Sequence, residues 1–179
     1  MTGVQTCALP IFYIRELVAQ GTALDEREVR NIHALVLRGI DRDNAGCYRG
    51  LPVMISGSRH VPPQPWAVPK LMEEYGQWLI GESLQLHPVL RAAEAHERLV
   101  TIHPFIDGNG RTARLVMNLL LLGQGYPIAN IPGDTDSRRA YYDALETANL
   151  DGNKMPFLFL IAGYVLHDSR VMLERLGAS

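Results

Sequence analysis

The sequence predicts a mostly α-helical single domain with one β-hairpin, six to seven helices in all. Three observations carry this. Apolar residues recur at helical spacing along most of the chain, punctuated by caps, glycines and prolines. One stretch alone, 47–63, has an extended character. The chain has 179 residues, 47% of them hydrophobic, which suits one domain with a substantial core.

The elements follow in order. Phe12 to Gln20, FYIRELVAQ, reads as the tail of a helix stopped by Gly21. Asp25 with Glu28 three residues on is a capping-box-like start, and Val29, Ile32, Leu35 and Val36 keep a helical period until before Gly39. Tyr48 to Ile55 and His60–Val61 flank Gly57, with Pro62 and Pro63 ending the stretch, which reads as a small hairpin. Ala67 to Leu79 is helical through Val68, Leu71, Met72 and Tyr75. Pro88 fits the first turn of a helix running towards Ile102. A strongly apolar helix covers 110–122, Ser137 can cap one from Arg138 to about Leu150, and Pro156 opens the last, to about Leu176.

Bulk properties exclude several classes. A formal charge of −2 gives no basic field for nucleic acid. The longest apolar runs, 115–122 and 157–166, fall short of a membrane span and read as core helix. The first eleven residues, MTGVQTCALPI, carry no charge, cap or apolar period, nor the basic start of a signal peptide. They resemble a sequencing adapter read through as protein. On that expectation residues 1–11 are non-native, and 12–179 form a domain lacking its natural start. Cys47 is then the single cysteine, which suits a reducing, cytoplasmic compartment.

The chemistry concentrates in His103 to Arg114, HPFIDGNGRTAR. Gly108, Asn109 and Gly110 directly precede a helix. Their backbone N–H groups can converge into an anion nest, reinforced by the helix dipole. Arg111 and Arg114 are three apart and share a helix face, as a polyphosphate site requires. Asp107 would repel phosphates unless a cation such as Mg²⁺ intervenes. His103 is the one base of this cluster that is neutral near physiological pH, and it can take a proton from an incoming hydroxyl. Base, metal carboxylate and phosphate cradle are the parts of phosphoryl or nucleotidyl transfer.

Competing motifs fail on context. Gly108 to Ala113 matches a dinucleotide fingerprint in form, but a helix precedes it and position 128 is Ile rather than an acid. No Walker lysine follows. His96–Glu97 hints at a zinc helix, yet position 100 is Val, so His96 reads as a buried, hydrogen-bonded support for the loop.

HPFIDGNGRTAR resembles the Fic-family signature HPF-x-[D/E]-GNGR-x-x-R, with every specified position filled, and the likeness extends over most of 12–167. The resemblance implies a Fic fold and a protein adenylyltransferase, moving AMP from ATP to a Tyr, Ser or Thr hydroxyl of a target protein. His103 would be the general base and Asp107 would bind Mg²⁺. Gly108, Asn109 and Gly110 would hold the α- and β-phosphates, Arg111 the phosphates and Arg114 the γ-phosphate. Phe105 would anchor the loop in the core. The family's hairpin flap corresponds to 50–61, with Val53, Met54, Ile55 and Ser56 nearest the nucleotide and the target docking by main-chain pairing. RRAYYDALETAN resembles the nucleoside-binding helix. Tyr141 or Tyr142 would pack on base or ribose, or else fill the core, and Asn149 would meet the adenine edge.

Many relatives carry an inhibitory helix, [S/T]-x-x-x-E-[G/N]. Thr22 to Glu26 has the spacing, but Arg27 follows and the capping role explains the same residues. The family's upstream form of this helix would fall before Phe12, so the natural protein is expected to be autoinhibited from its N-terminal side. The implied partners are ATP and a protein substrate, without membrane or nucleic acid. A homodimer is compatible with a sequence that leaves oligomeric state open. Two alternatives were weighed: a nucleotide-binding regulatory module without transferase activity, and a Fic enzyme that removes AMP or transfers another phosphate-containing group.

Overall fold

A computed structural model describes residues 24–177, together with Tyr13, Glu16, Leu17 and Gly21. The 1–11 segment, most of the helix expected at 12–20 and any inhibitory helix before Phe12 lie outside the described residues. Six α-helices are present among those described: α1 (Glu26–Val36), α2 (Val68–Ile80), α3 (Pro88–Ile102), α4 (Asn109–Leu122), α5 (Thr135–Asp151) and α6 (Met155–Arg175). Short 3₁₀ turns at Pro65–Ala67 and Glu82–Gln85 lead into α2 and out of it.

Each start has a local cause. The Asp25 carboxylate accepts from Glu28 N at 2.9 Å, which caps α1 as expected. Pro88 occupies the first turn of α3. The cap of α5 differs from expectation. Asp134 rather than Ser137 caps it, accepting from Ser137 N at 2.9 Å, so the helix begins at Thr135. Asp outcompetes Ser here because its charged oxygen also complements the helix dipole.

α3 is the central helix. Ala92, Ala93 and Ala95 are fully buried and let neighbours approach closely, and α3 packs against α2, α4, α5 and α6. α4 contributes Ala113, Val116, Met117 and Leu121 to the same core. α6 buries Phe157, Ile161 and Val165. By length and composition α6 is apolar enough to cross a membrane, which corrects the expectation that no segment reaches that length; in this fold its inner face is core.

The expected hairpin is also corrected. No strand is present among the described residues of 47–63, and the segment is an extended loop with a turn in which Ser58 N donates to Ile55 O at 3.1 Å. Its legs do not form a ladder because other groups claim their backbone. Arg49 N donates to Pro104 O at 2.9 Å, and the Arg49 side chain donates to Leu51 O and Pro63 O, one on each leg.

Candidate functional site

The site is built at the junction of α3 and α4. α3 ends at His103, whose φ of 51° and ψ of 56° place it in the left-handed region. It is the only non-glycine with positive φ among the described residues, and such strain persists where the surroundings enforce it. The chain then turns through Pro104 to Asp107 and re-enters helix at Asn109.

Four groups fix this turn. Phe105 is fully buried and stacks on His33 of α1, ring centroids 3.6 Å apart and nearly parallel. His33 Nδ1 accepts from Gly46 N at 2.9 Å, so its Nε2–H is the donor to Asp107 O at 3.0 Å. Burial lowers the His33 pKa and keeps that neutral tautomer, against the opposing pull of the Asp107 carbonyl. Asn109 closes a reciprocal pair with the loop, accepting from Phe105 N and donating to Phe105 O, both at 2.9 Å. Gly108 has φ of 80°, and a Cβ there would meet the His33 ring at 3.3 Å and Val36 at 3.4 Å. Both the backbone and the close approach therefore require glycine.

With glycine as N-cap, α4 has no side-chain cap. The first-turn N–H groups of Asn109, Gly110 and Arg111 have no partner within the helix and carry the positive end of its dipole. They open on a cavity of about 670 Å³. His103, Asp107 to Arg111 and Arg114 line it on one side, Tyr141, Tyr142 and Asn149 of α5 on another, and Ile55 and Ser56 of the loop cover it. The structure thus brings together almost every residue singled out in the sequence. Val53 and Met54 are the exceptions. Neither lines the cavity, and Met54 is 94% exposed.

The side chains are arranged as follows. His103 Nδ1–H points to Val100 O at 3.3 Å, which leaves Nε2 as the ring's acceptor. Burial lowers its pKa first, and the Arg49 and His60 charges add to this. The Val100 carbonyl and Asp107 oppose. The ring is neutral at pH 7 as a result. Asp107 Oδ2 pairs with Arg111 at 2.8 Å, and its Oδ1 accepts from Gly108 N at 2.6 Å. Arg114 has no carboxylate ion pair among the described residues.

Tyr141 is buried, with its hydroxyl 3.1 Å from His96 Nε2, so most of the ring is core. His96 is fully buried beside it, stacked on Phe157, as a structural histidine should be. Burial, followed by the Arg114 charge, lowers its pKa to about 3. Tyr142 is exposed at the cavity. The Asn149 side chain contacts Thr101 Oγ1, which also meets the carboxylate of Glu97.

Several contributing residues escaped the sequence reading. Arg138 lines the cavity and adds a third cation. Glu146 accepts from Arg59 N and its guanidinium, and His60 Nε2 contacts Thr101 O at 2.9 Å, tying the loop to α5 and α3. His33 and Arg49 hold the motif from elements far away in sequence. The one signal for them was an isolated His or Arg inside an apolar setting.

A helical domain with an uncapped helix N-terminus, flanking arginines and a neutral base at one cavity defines a class of anion-site proteins. The sequence model of the Fic/DOC family matches residues 23–121, and the chain belongs to that family. It is 43% identical over 155 residues to the protein adenylyltransferase Fic of Drosophila persimilis, an alignment that takes 86% of this chain and 30% of the relative. The fold matches Fic-1 (residues 134–508) from C. elegans with a TM-score of 0.83 and 29% identity, over 97% of this chain and 51% of the other. A Fic family protein from Desulfovibrio desulfuricans G20 matches at 0.76 and 29% identity, over 93% and 52%. The chain therefore spans about 30% of the curated relative and about half of each solved one.

Proposed function

We propose that this chain transfers AMP from ATP to a Tyr, Ser or Thr hydroxyl of a target protein. The observation that carries the reading is the neutral, half-buried His103 ring beside a cavity whose floor is the uncapped start of α4. Anion binding alone needs no base. Membership of a family whose relative is named an adenylyltransferase supports the same chemistry.

In this mechanism the triphosphate lies over the N–H groups of Asn109, Gly110 and Arg111, with Arg111 and Arg114 beside it. Asn109 serves through its backbone, since its side chain is committed to Phe105. Tyr142, Asn149 and Leu145 line the part of the cavity left for the nucleoside. His103 takes the proton of the incoming hydroxyl at Nε2 as that oxygen attacks the α-phosphorus, and pyrophosphate leaves. The backbone donors lower the charge cost of that transition state.

Asp107 fits Mg²⁺ as a single, accessible carboxylate oxygen donor. No described cluster of three His, Cys, Asp or Glu residues could hold a metal alone, so phosphate oxygens would complete the shell. When bound, the ion would neutralise phosphate charge. The extended loop at 50–61, with Met54 projecting into solvent, supports docking of the target by main-chain pairing. The free thiol of Cys47 supports a reducing, cytoplasmic setting.

Incubation of cell lysate with α-labelled ATP tests the reading. The wild-type chain should label protein, and His103→Ala should abolish labelling while nucleotide binding stays within about threefold, because His103 is invoked only in the transition state. Equal labelling by both would remove His103 from its role.

A further inference from the structure

Arg49 is 3% exposed, yet no carboxylate pairs with it among the described residues. Its guanidinium donates to three carbonyls instead: Nε to His103 O at 2.7 Å, Nη1 to Leu51 O at 3.2 Å and Nη2 to Pro63 O at 2.5 Å. Its backbone N adds Pro104 O. A buried cation satisfied by neutral carbonyls is costly, and nothing in packing alone requires it. What the arrangement achieves is geometric. The planar fork joins three segments: the entry of the loop over the cavity, its exit, and His103 in its left-handed conformation. Arg49 does not line the cavity, so its effect reaches the nucleotide only through others.

We propose that Arg49 is a positioning residue that couples the 50–63 loop to His103, so that target docking and placement of the base are set by one side chain. The proposal rests on the transfer reading above. Its charge also faces His103, along with His60 and Asp107, and favours the neutral ring.

The test uses the full chain carrying Arg49→Lys, which keeps the charge but cannot span three carbonyls with one ammonium. Arg49→Met, which removes the charge, is the second variant. Three quantities are read: ATP affinity by calorimetry, labelling of lysate proteins from α-labelled ATP, and amide hydrogen exchange. In Arg49→Lys, ATP affinity should stay within about threefold while labelling falls about 100-fold, the cost of a misplaced catalytic group. Exchange should rise in 50–63 and 103–105 and stay unchanged in Val68–Ile80. Arg49→Met should in addition move the acid limb of labelling to higher pH, since His103 then protonates more readily. Wild-type labelling by Arg49→Lys, or unchanged exchange in 50–63, overturns the proposal. So does parallel loss of ATP binding and of protection in Val68–Ile80, which would make Arg49 a general scaffold residue. Absence of labelling in the wild type refutes the transfer reading alone, and the exchange measurement then decides the role of Arg49.

Discussion

Acidification should destabilise this domain through His96, and the size of the effect follows from its burial. His96 is fully buried against Tyr141 and Phe157, and its Nδ1 has no hydrogen-bond partner among the described residues. Burial first, then the positive Arg114, lowers its pKa from 6.5 to about 3. A histidine that stays neutral in the fold but protonates when unfolded contributes stability above pH 6.5. That contribution is lost progressively as pH falls towards the folded value. At pH 5 the native ring is still neutral while the unfolded one is protonated. The penalty there depends on the unfolded pKa alone, and 1.5 pH units at about 1.36 kcal/mol per unit gives about 2 kcal/mol. His96→Gln retains a polar partner for the Tyr141 hydroxyl without a group that titrates in this range. It should cost stability at pH 7, but its urea unfolding free energy should fall between pH 7 and pH 5 by about 2 kcal/mol less than that of the wild type. The same pH slope in both proteins would refute the reasoning, because His96 would then not be the neutral buried group described.

Two further outcomes follow from the site. Labelling of target protein should have an acid limb set by His103: activity present above its pKa, lost as pH falls through it, with a midpoint below the ordinary 6.5 because burial and the Arg49 and His60 charges disfavour protonation. A midpoint above 6.5 in a pH–rate profile would contradict that assignment. Gly108→Ala forces a side chain into φ of 80° and against the His33 ring. It should lose about 1–3 kcal/mol in thermal or urea unfolding and also weaken ATP binding, because the same turn aims the α4 N–H groups.

The sequence disclosed the site more fully than the fold that supports it, and the reason is physical. The motif is contiguous because a helix N-terminus gathers its own donors: the N–H groups of the proposed anion nest lie in one short run, Gly108 to Arg111. Helix starts were legible for the same local reason, as at Asp25, and even the misassigned cap at Ser137 was wrong by one hydrogen-bond partner, Asp134. What could not be read is long-range pairing. The extended character of Tyr48 to Ile55 suggests a strand, but whether two legs pair depends on competing partners. Arg49 and Pro104 claim the backbone groups first. His33 is 74 positions from its acceptor in Asp107, and no local spacing encodes that contact. Tyr141 reads as either core or nucleotide contact because helical spacing does not say what its face of the helix meets. The His96 contact puts its hydroxyl in the core.

The electrostatics of the site explain how a carboxylate can sit inside an anion cradle. The histidines packed around the site are uncharged: burial lowers the pKa of His33, His96 and His103. The charges that face the cavity lie at its accessible rim, where Asp107 occupies Arg111 at 2.8 Å. That pair is exposed, 41% for Arg111 and 67% for Asp107, so water screens it and it contributes about 0–1 kcal/mol. On the proposed transfer reading, an arriving polyphosphate would displace Asp107 from Arg111 at little cost. It would gain a guanidinium and leave the Asp107 carboxylate free to hold a cation. Had the same pair been buried, breaking it would have left an uncompensated charge costing several kcal/mol. On that reading the exposure of Asp107 matters to the chemistry: its pair with Arg111 is cheap to break, so its carboxylate would be available to a cation.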